Sequence, residues 1–574
     1  MLTAAAAVAS AQTTVSARLT ERIAAEGTAD VLVLYGDYPD LSGAGAFATK
    51  EDKARYVFEA LRQNARRHRP LLARLDAQRL SYRHYPAANA VYVPNADVAL
   101  AAALAREEGV ARVAALDAWR VEETEEYAPA TALTLEARSN APEWGLVYMG
   151  VPEVWAQGIR GAGAVVGGQD TGYDWTHPAL KPKYRGYDAA ADTAAHDYHW
   201  FDAVAERSPL NPDDANPCGF SSPVPCDDSQ HGTHTMGTMV GSDSSNQVGV
   251  APEAEWVACR SMERGWGRPE TYLGCFEWFL APTDVNGENP DPAMAPDVIA
   301  NSWYCPELEG CDTTTFAAFD NVIAALRASG VVVVASAGNF GRRGCASVAR
   351  IPAQSPGAVA VGAHDELGAL AAFSSLGSAD APLDGPDIVA PGVGTRSTIP
   401  GGGYNLKSGT SMAGPHVAGL VALMISANPA LRGQVDSIEA ILYRTATPPP
   451  AVPADTCSAP GGPNQVYGNG LAQAERAVRE AIAFGGVSQS VGASAKTFAT
   501  RVAPNPVGRG FALVVPAEAV GARLVVRDAT GRLVEDRRLR RERTDVLAER
   551  WPAGTYSYHV TGEAGTAAGK LVKL

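Results

Sequence analysis

Three residue types that can cooperate in attack on a carbonyl are spread along the 574-residue chain in the order aspartate, histidine, serine. Ser411 lies in Lys407-Ser408-Gly409-Thr410-Ser411-Met412-Ala413-Gly414-Pro415-His416-Val417, and the apolar run Val417 to Ala427 follows at once. A serine ahead of such a run sits on the first turn of a buried helix, where free N–H groups and the positive end of the helix dipole face its hydroxyl. Gly409 and Gly414 let backbone and substrate approach, and Pro415 is expected near the helix start because the N–H it lacks has no partner there. Gly-Thr-Ser alone is most often a turn, and two other stretches give it meaning. Val165-Val166-Gly167-Gly168-Gln169-Asp170-Thr171-Gly172 is a short apolar strand that delivers Asp170 at its end, where open α/β sheets place functional groups. His231 opens a glycine-bearing helical stretch that runs to Gly241.

The chemistry these residues suit is acyl transfer. A neutral hydroxyl is a weak nucleophile toward an amide, so Ser411 needs a base that titrates near working pH, and His231 is of that type. Asp170 would accept the other ring N–H of His231, fixing its tautomer and stabilising the imidazolium. A Gly-x-Ser-x-Gly elbow in the order serine, acid, histidine does not fit: its fifth position is Ala413, and only His416 and His559 follow Ser411.

The stretches around Asp170, His231 and Ser411 resemble the catalytic signatures of subtilisin-like serine proteases, the subtilases. A fourth, Ala335-Ser336-Ala337-Gly338-Asn339, is similar to the segment that carries the oxyanion-hole asparagine in that family. Without the others, Asn339 reads as an ordinary Gly-Asn turn residue. His177-Pro178-Ala179-Leu180, Lys183 to Tyr187, Trp278 to Thr283 and Asn301-Ser302-Trp303 resemble the bacillopeptidase F-like branch in particular. The resemblance implies an endopeptidase made as a zymogen, acting on proteins or peptides and needing no cofactor for its chemistry. Calcium commonly stabilises this family, and the sequence assigns no ligands to it.

Substrate, by the same resemblance, adds as a strand between Ser302-Trp303-Tyr304 and Gly265 to Arg268, with Ser336, Ala337 and Gly338 as the far wall of the primary pocket. The chain departs from the family in having Tyr304 and Cys305 where glycine is common, so cleavage preference does not carry over. Gln169 replaces an apolar residue and leaves Asp170 intact. His234 and His416, each within a turn of a catalytic residue, are expected to be packed structural histidines.

The element that must hold these groups is a parallel sheet with helices on both faces, because short Val/Ile/Ala strands alternate with helical stretches. Strands are expected at Val257 to Arg260, Val298 to Ser302, Val331 to Ser336 and Val359 to Gly362, within a catalytic domain at 144–484. Between Asp170 and His231 an insertion, Asn211 to Asp228, reads as a surface loop stapled by Cys218 and Cys226. His196 and His199 before it are spaced as a weak metal pair, but their surroundings favour a structural loop, and no metal is assigned.

Residues 17–125 form a small α+β unit that resembles the inhibitor-type propeptides of subtilases; an unrelated α+β domain is the alternative. Its elements are a strand Asp30 to Tyr35, one helical pattern through Val57, Leu61, Leu72 and Leu75, a strand Ala90 to Val93, a helix Asp97 to Glu108 and a last strand Val110 to Leu116. Residues 126–143 follow as an exposed linker that maturation should cut. Residues 1–16 read as a truncated signal peptide, with an alanine-rich tail as the alternative. After a 485–500 linker, the short strands of 501–574 resemble the small C-terminal β-sandwich that sorts substrates of type IX secretion; a carbohydrate-binding or adhesive domain competes with that reading.

Composition narrows the class. Hydrophobic residues make up 46% and charged residues 19%, ordinary for a globular chain, and the length calls for two to four domains. A net charge of -15 argues against nucleic acid as a partner. No apolar run approaches the roughly 18 residues of a spanning helix, so no transmembrane segment is expected. The 8 cysteines all fall between Cys218 and Cys457. Their even count and the close pairs Cys218 with Cys226 and Cys305 with Cys311 favour disulfides over zinc, since no Cys-x-x-Cys occurs. Pairing of the rest, for example Cys259 with Cys275 and Cys345 with Cys457, stays open. The chain thus reads as a secreted or cell-surface protease with its propeptide and the secretion machinery as partners. A pseudoprotease that binds peptides in the same cleft, or an adhesin acting through its terminal domain, are the alternatives.

Overall fold

The computed structural model describes residues 14–116, 141–211, 216–306, 309–378, 385–449, 457, 464–484 and most of 501–573. Most of the expected leader, of the 126–143 linker and all of the 485–500 linker lie outside the described residues, as does the turn after Asp528. The residues up to Phe484 belong to one compact unit and those beyond it to a second.

The first unit begins with an α+β lobe. Its strands β1 (Thr14–Val15), β2 (Ala29–Tyr35), β3 (Arg83–Tyr85), β4 (Ala90–Ala96) and β5 (Val110–Ala115) pair in the order β1-β5-β2-β4-β3. Its helices are α1 (Ala17–Glu26), α2 (Lys50–Asn64), α3 (Arg69–Ala77) and α4 (Val98–Leu104). The single helical pattern expected through Leu75 is two helices, because a tight turn at Ala65–His68 intervenes and Pro70 starts α3. Asp97, expected inside a helix, caps it instead: its carboxylate accepts the N–H of Leu100, 2.7 Å away. Helix α1 was not expected at all.

A seven-stranded parallel sheet forms the body of the unit. Its strands are β6 (Val165–Asp170), β7 (Trp200–Asp202), β8 (Glu255–Arg260), β9 (Val298–Asn301), β10 (Val332–Ser336), β11 (Ala358–His364) and β12 (Ile388–Pro391), in the order β12-β11-β10-β9-β6-β8-β7. Both faces are covered, which is why Val331 to Val334 is apolar without a break. Val332 and Val334 face the core that holds α5 (His231–Val240) and the later helix α8 (Thr410–Ala427). Val331 and Val333 face α6 (Pro269–Leu280) and α7 (Phe316–Ala328) on the other side.

Helix α8 has 18 residues and is long and apolar enough to cross a membrane by composition, which corrects the expectation that no run reaches that length. It lies 89% buried inside the protein, so its apolarity serves the core. The lobe docks on the opposite layer: Leu61 and Tyr85 share one apolar cluster with Phe276 of α6 and Phe319 of α7. Polar ties reinforce the contact. Lys50 pairs with Asp297 at 2.9 Å with both side chains buried, Lys53 donates to the carbonyl of Gly433, and Arg268 pairs with Asp30 at 2.8 Å.

The second unit comprises two antiparallel sheets. Strands Arg501–Ala503, Gly510–Val514 and Arg543–Leu547 form one; Leu533–Arg538, Arg523–Asp528, Gly554–Gly562 and Gly565–Lys573 form the other. Phe511, Leu513 and Val546 from the first share an apolar core with Leu524, Val526, Tyr558 and Val560 from the second, as the inner faces of a sandwich do. Four disulfides join Cys218 to Cys226, Cys259 to Cys275, Cys305 to Cys311 and Cys345 to Cys457.

Candidate active site

Strand β6 lies inside the sheet between β9 and β8 and ends on Asp170, whose side chain is buried. Helix α5 starts directly over that end. A Cβ on Gly232 would stand 2.1 Å from the carbonyl oxygen of Gly172 and 3.0 Å from the Asp170 Cβ, so only glycine admits this approach. His231, one residue earlier, thereby reaches Asp170: Nδ1 and Oδ1 are 2.7 Å apart. Asp170 also accepts the backbone N–H of Thr171 at 2.7 Å and the Thr235 hydroxyl at 3.3 Å.

The orientation of His231 depends on a residue that sequence reasoning missed. Asp227 accepts the N–H groups of Ser229 and Gln230 through Oδ1, and the N–H and hydroxyl of Thr233 through Oδ2, satisfying free donors at the start of α5. Its Oδ1 also accepts the Thr171 hydroxyl at 2.9 Å, and Thr171 in turn accepts the N–H of Gly232. Asp227 therefore clamps the His231 helix to the Asp170 strand. The expectation of a plain surface loop over Asn211 to Asp228 is corrected accordingly: its last two residues are structural, and Asp228 pairs with the buried Arg260. An acid a few residues ahead of a helical stretch was the available signal.

Ser411 is the second residue of α8 and is 8% exposed. It is locked to Ser302 in both directions. The Ser302 hydroxyl donates to the Ser411 carbonyl at 2.9 Å, and the Ser411 hydroxyl donates to the Ser302 carbonyl at 3.1 Å. Pro415 explains the first bond. It lies inside the helix, beyond the positions whose N–H is orphaned, so its missing N–H frees the Ser411 carbonyl four residues back, and Ser302 takes it. Asn339 sits beside the same turn: its side-chain oxygen accepts the N–H of Thr410 at 2.9 Å and the Thr410 hydroxyl at 3.0 Å. With the oxygen so engaged, the amide nitrogen is left to donate elsewhere.

The expected substrate-binding residues lie where two strands leave the sheet. Ser302, Trp303 and Tyr304 continue from β9, and Ala337 and Gly338 continue from Ser336 at the end of β10. Trp303 stacks on Tyr272 with ring centroids 3.9 Å apart. The Tyr272 hydroxyl donates to buried Glu309, which also accepts the N–H of Gly267 and whose carboxyl is pushed up to about 8 by burial. Leu116, the lobe's last residue before the undescribed stretch, lays its carbonyl over Gly310, where a Cβ would come within 2.2 Å.

The neighbouring histidines are engaged in packing and hydrogen bonds. His234 and His416 are buried, bonded to the carbonyls of Asn405 and Met412, and burial lowers both below the usual histidine range, His416 to about 4. His196 bonds the Tyr184 hydroxyl. Among the described residues no group of three or more His, Cys, Asp or Glu side chains could hold a metal ion.

Comparison with known proteins gives the family. Residues 161–470 match the subtilase family (Peptidase S8). Bacillopeptidase F from Bacillus subtilis (strain 168) is 41% identical over 343 residues, 58% of this chain and 22% of the relative. Subtilisin NAT from Bacillus subtilis subsp. natto is 33% identical over 287 residues, 50% of this chain and 61% of the relative. Subtilisin BL from Lederbergia lenta is 31% identical over 338 residues, 58% of this chain and 98% of the relative. The chain thus spans about a fifth of Bacillopeptidase F and under two thirds of Subtilisin NAT. With the matched segment enclosing the parallel sheet, the His231–Asp170 pair and the Ser411 turn, this chain belongs to the subtilase family.

Proposed function

We propose that the protein is a secreted serine endopeptidase, made as a zymogen, in which Ser411 is the nucleophile, His231 the general base and Asp170 the residue that orients and stabilises His231. The carrying observation is the 2.7 Å bond between His231 and a buried Asp170 in a chain of this family. For attack, the Ser411 hydroxyl turns from the Ser302 carbonyl toward the imidazole, which takes its proton as oxygen bonds to the substrate carbonyl carbon. The oxyanion that forms accepts from the Asn339 amide and the Ser411 N–H at the positive end of α8. His231 then returns the proton to the leaving amine, and water cleaves the acyl-enzyme by the same route. A subtilisin asparagine in this role is worth roughly 3–4 kcal/mol, a magnitude belonging to that enzyme. The chemistry needs no cofactor.

Residues 17–125 act as the inhibitor-type propeptide, a reading supported by the shared core and ion pairs between the lobe and the α6–α7 layer. The four disulfides support an oxidising destination. The terminal β-sandwich is read as the type IX sorting domain on its strand pattern and its separation as a compact unit. Labelling with a fluorophosphonate tests the catalytic reading: the matured protein should carry one adduct on Ser411 and hydrolyse casein, and Ser411→Ala should lose both. A wild-type protein that takes no label, or a mutant that still hydrolyses casein, removes the assignment.

A further inference from the structure

We propose that an aromatic pair, Tyr304 and Phe340, narrows the crevice beside Ser411 and restricts the residue on the acyl side of the cut bond to a small, uncharged side chain such as Ala, Ser or Gly. The inference rests on the reading of Ser411 as the nucleophile and adds the substrate class to it.

The crevice follows from the topology. Strands β9 and β10 are adjacent and parallel, and the segments that leave their carboxyl ends, Ser302 to Tyr304 and Ala337 to Phe340, are the two walls of the crevice. Both exits grip the turn that carries Ser411. The β9 exit does so through the Ser302–Ser411 bonds, and the β10 exit through Asn339 and through the N–H of Gly338, which donates to the Thr410 hydroxyl at 3.2 Å. The segment Ala349 to Ile351 lies across the gap. Ala349 donates its N–H to the Ala337 carbonyl at 2.9 Å, and Cys305 donates to the Ile351 carbonyl at 3.1 Å, so one segment is bonded to both walls.

Tyr304 projects from the first wall and Phe340 from the second. Their rings meet edge to face, centroids 5.0 Å apart at 87°. At that separation the rings are in van der Waals contact, and no third side chain fits between them. Neither is loose. Cys305, next to Tyr304, is bonded to Cys311; Trp303, on its other side, is stacked on Tyr272; and the Arg343 guanidinium lies 4.5 Å from the Phe340 ring centroid. Arg350, on the segment that spans the gap, has its charge engaged elsewhere, by Asp320 at 3.2 Å and over the Phe316 ring at 4.7 Å. A large acyl-side residue would have to part the two rings, whereas a methyl or hydroxymethyl group would not.

The test compares peptides that differ only in the acyl-side residue (Ala, Phe, Glu or Arg), using the full chain after its own maturation. The kcat/KM ratio of Phe to Ala should lie below about 0.1 in the wild type and rise at least tenfold in Tyr304→Gly or Phe340→Ala, steps of the size that pocket volume commands. Circular dichroism and thermal melting establish which variant is folded. The same preference is read independently as the ratio of peptide dissociation constants, Ala over Phe, on full-length Ser411→Ala chains with and without each variant. There, an occupant of the cleft raises both constants by one factor and leaves the ratio intact. If hydrolysis is absent while the dissociation constants show the ratio and its rise, the catalytic reading fails and the gate stands. Anything short of both the low wild-type ratio and its rise in a folded variant overturns the gate, and a preference for Glu transfers selectivity to Arg350.

Discussion

Among the described residues Asp227 makes no hydrogen bond to the side chain of His231 or Asp170, yet it holds the elements that bear them. Its carboxylate takes donors from the first turn of α5 and the hydroxyl of Thr171 on the Asp170 side. Removing it in Asp227→Ala is expected to cost about 1 kcal/mol of stability, as lost helix caps do. The larger effect should be on kcat, with a fall of about tenfold or more from misplacement of the base, while KM stays near the wild-type value. Steady-state kinetics and a melting curve check both parts. The pairing of His231 with Asp170 and the seat of Ser411 at the head of a buried helix were legible in the sequence because acyl transfer constrains residue type, order and local glycine content at once. Asp227 was marked only by its place a few residues ahead of a helical stretch, and a carboxylate in a Pro- and Ser-rich stretch looks the same whether it meets water or caps a helix. The Ser302–Ser411 exchange was hidden for a related reason: it follows from a proline deep enough in α8 to free a carbonyl, and helix starts are the least certain part of a sequence reading.

At the level of elements, the parallel sheet was readable wherever both faces are buried, as in the unbroken valines of β10. The split of α2 from α3 was not, since apolar spacing continues across the break and only Pro70 marks it. The same layer of helices carries a pH-dependent contact. Glu277 of α6 accepts the N–H groups of Ala87 and Ala88 from the lobe at 2.7 and 3.0 Å. Burial pushes its carboxyl from 4.5 up to about 8, against the two N–H bonds, which pull the other way. Uncovered by the lobe, the same carboxyl would titrate near its ordinary value. A group raised in the bound state favours binding fully below its free value and loses that contribution as pH rises through the bound one. Lobe affinity should therefore weaken between about pH 4.5 and 8. Inhibition of the matured protease by added lobe, measured across that range, should show this slope, and Glu277→Gln should flatten it.

For the molecule as a whole, the staples are unequal. Cys305 and Cys311 are 6 residues apart, whereas Cys345 and Cys457 are 112 apart and enclose β11, β12, α8 and Ser411. In the chain-entropy account the long loop is worth about 5 kcal/mol and the short one about 2. Calorimetry should therefore find that replacing Cys345 and Cys457 by serine lowers the melting temperature more than replacing Cys305 and Cys311. The cysteine clustering was visible in the sequence, but the long pairing, which the structure shows, could be named only as one open possibility, because it depends on how the sheet brings distant segments together. The lobe's docking carries a consequence for what it leaves behind. Phe276 and Phe319 share their cluster with Leu61 and Tyr85 of the lobe, so whatever severs the two bodies bares a greasy face on the helical layer. A freshly stripped enzyme would be stickier than its precursor, and crowding many such molecules together would invite them to cover one another.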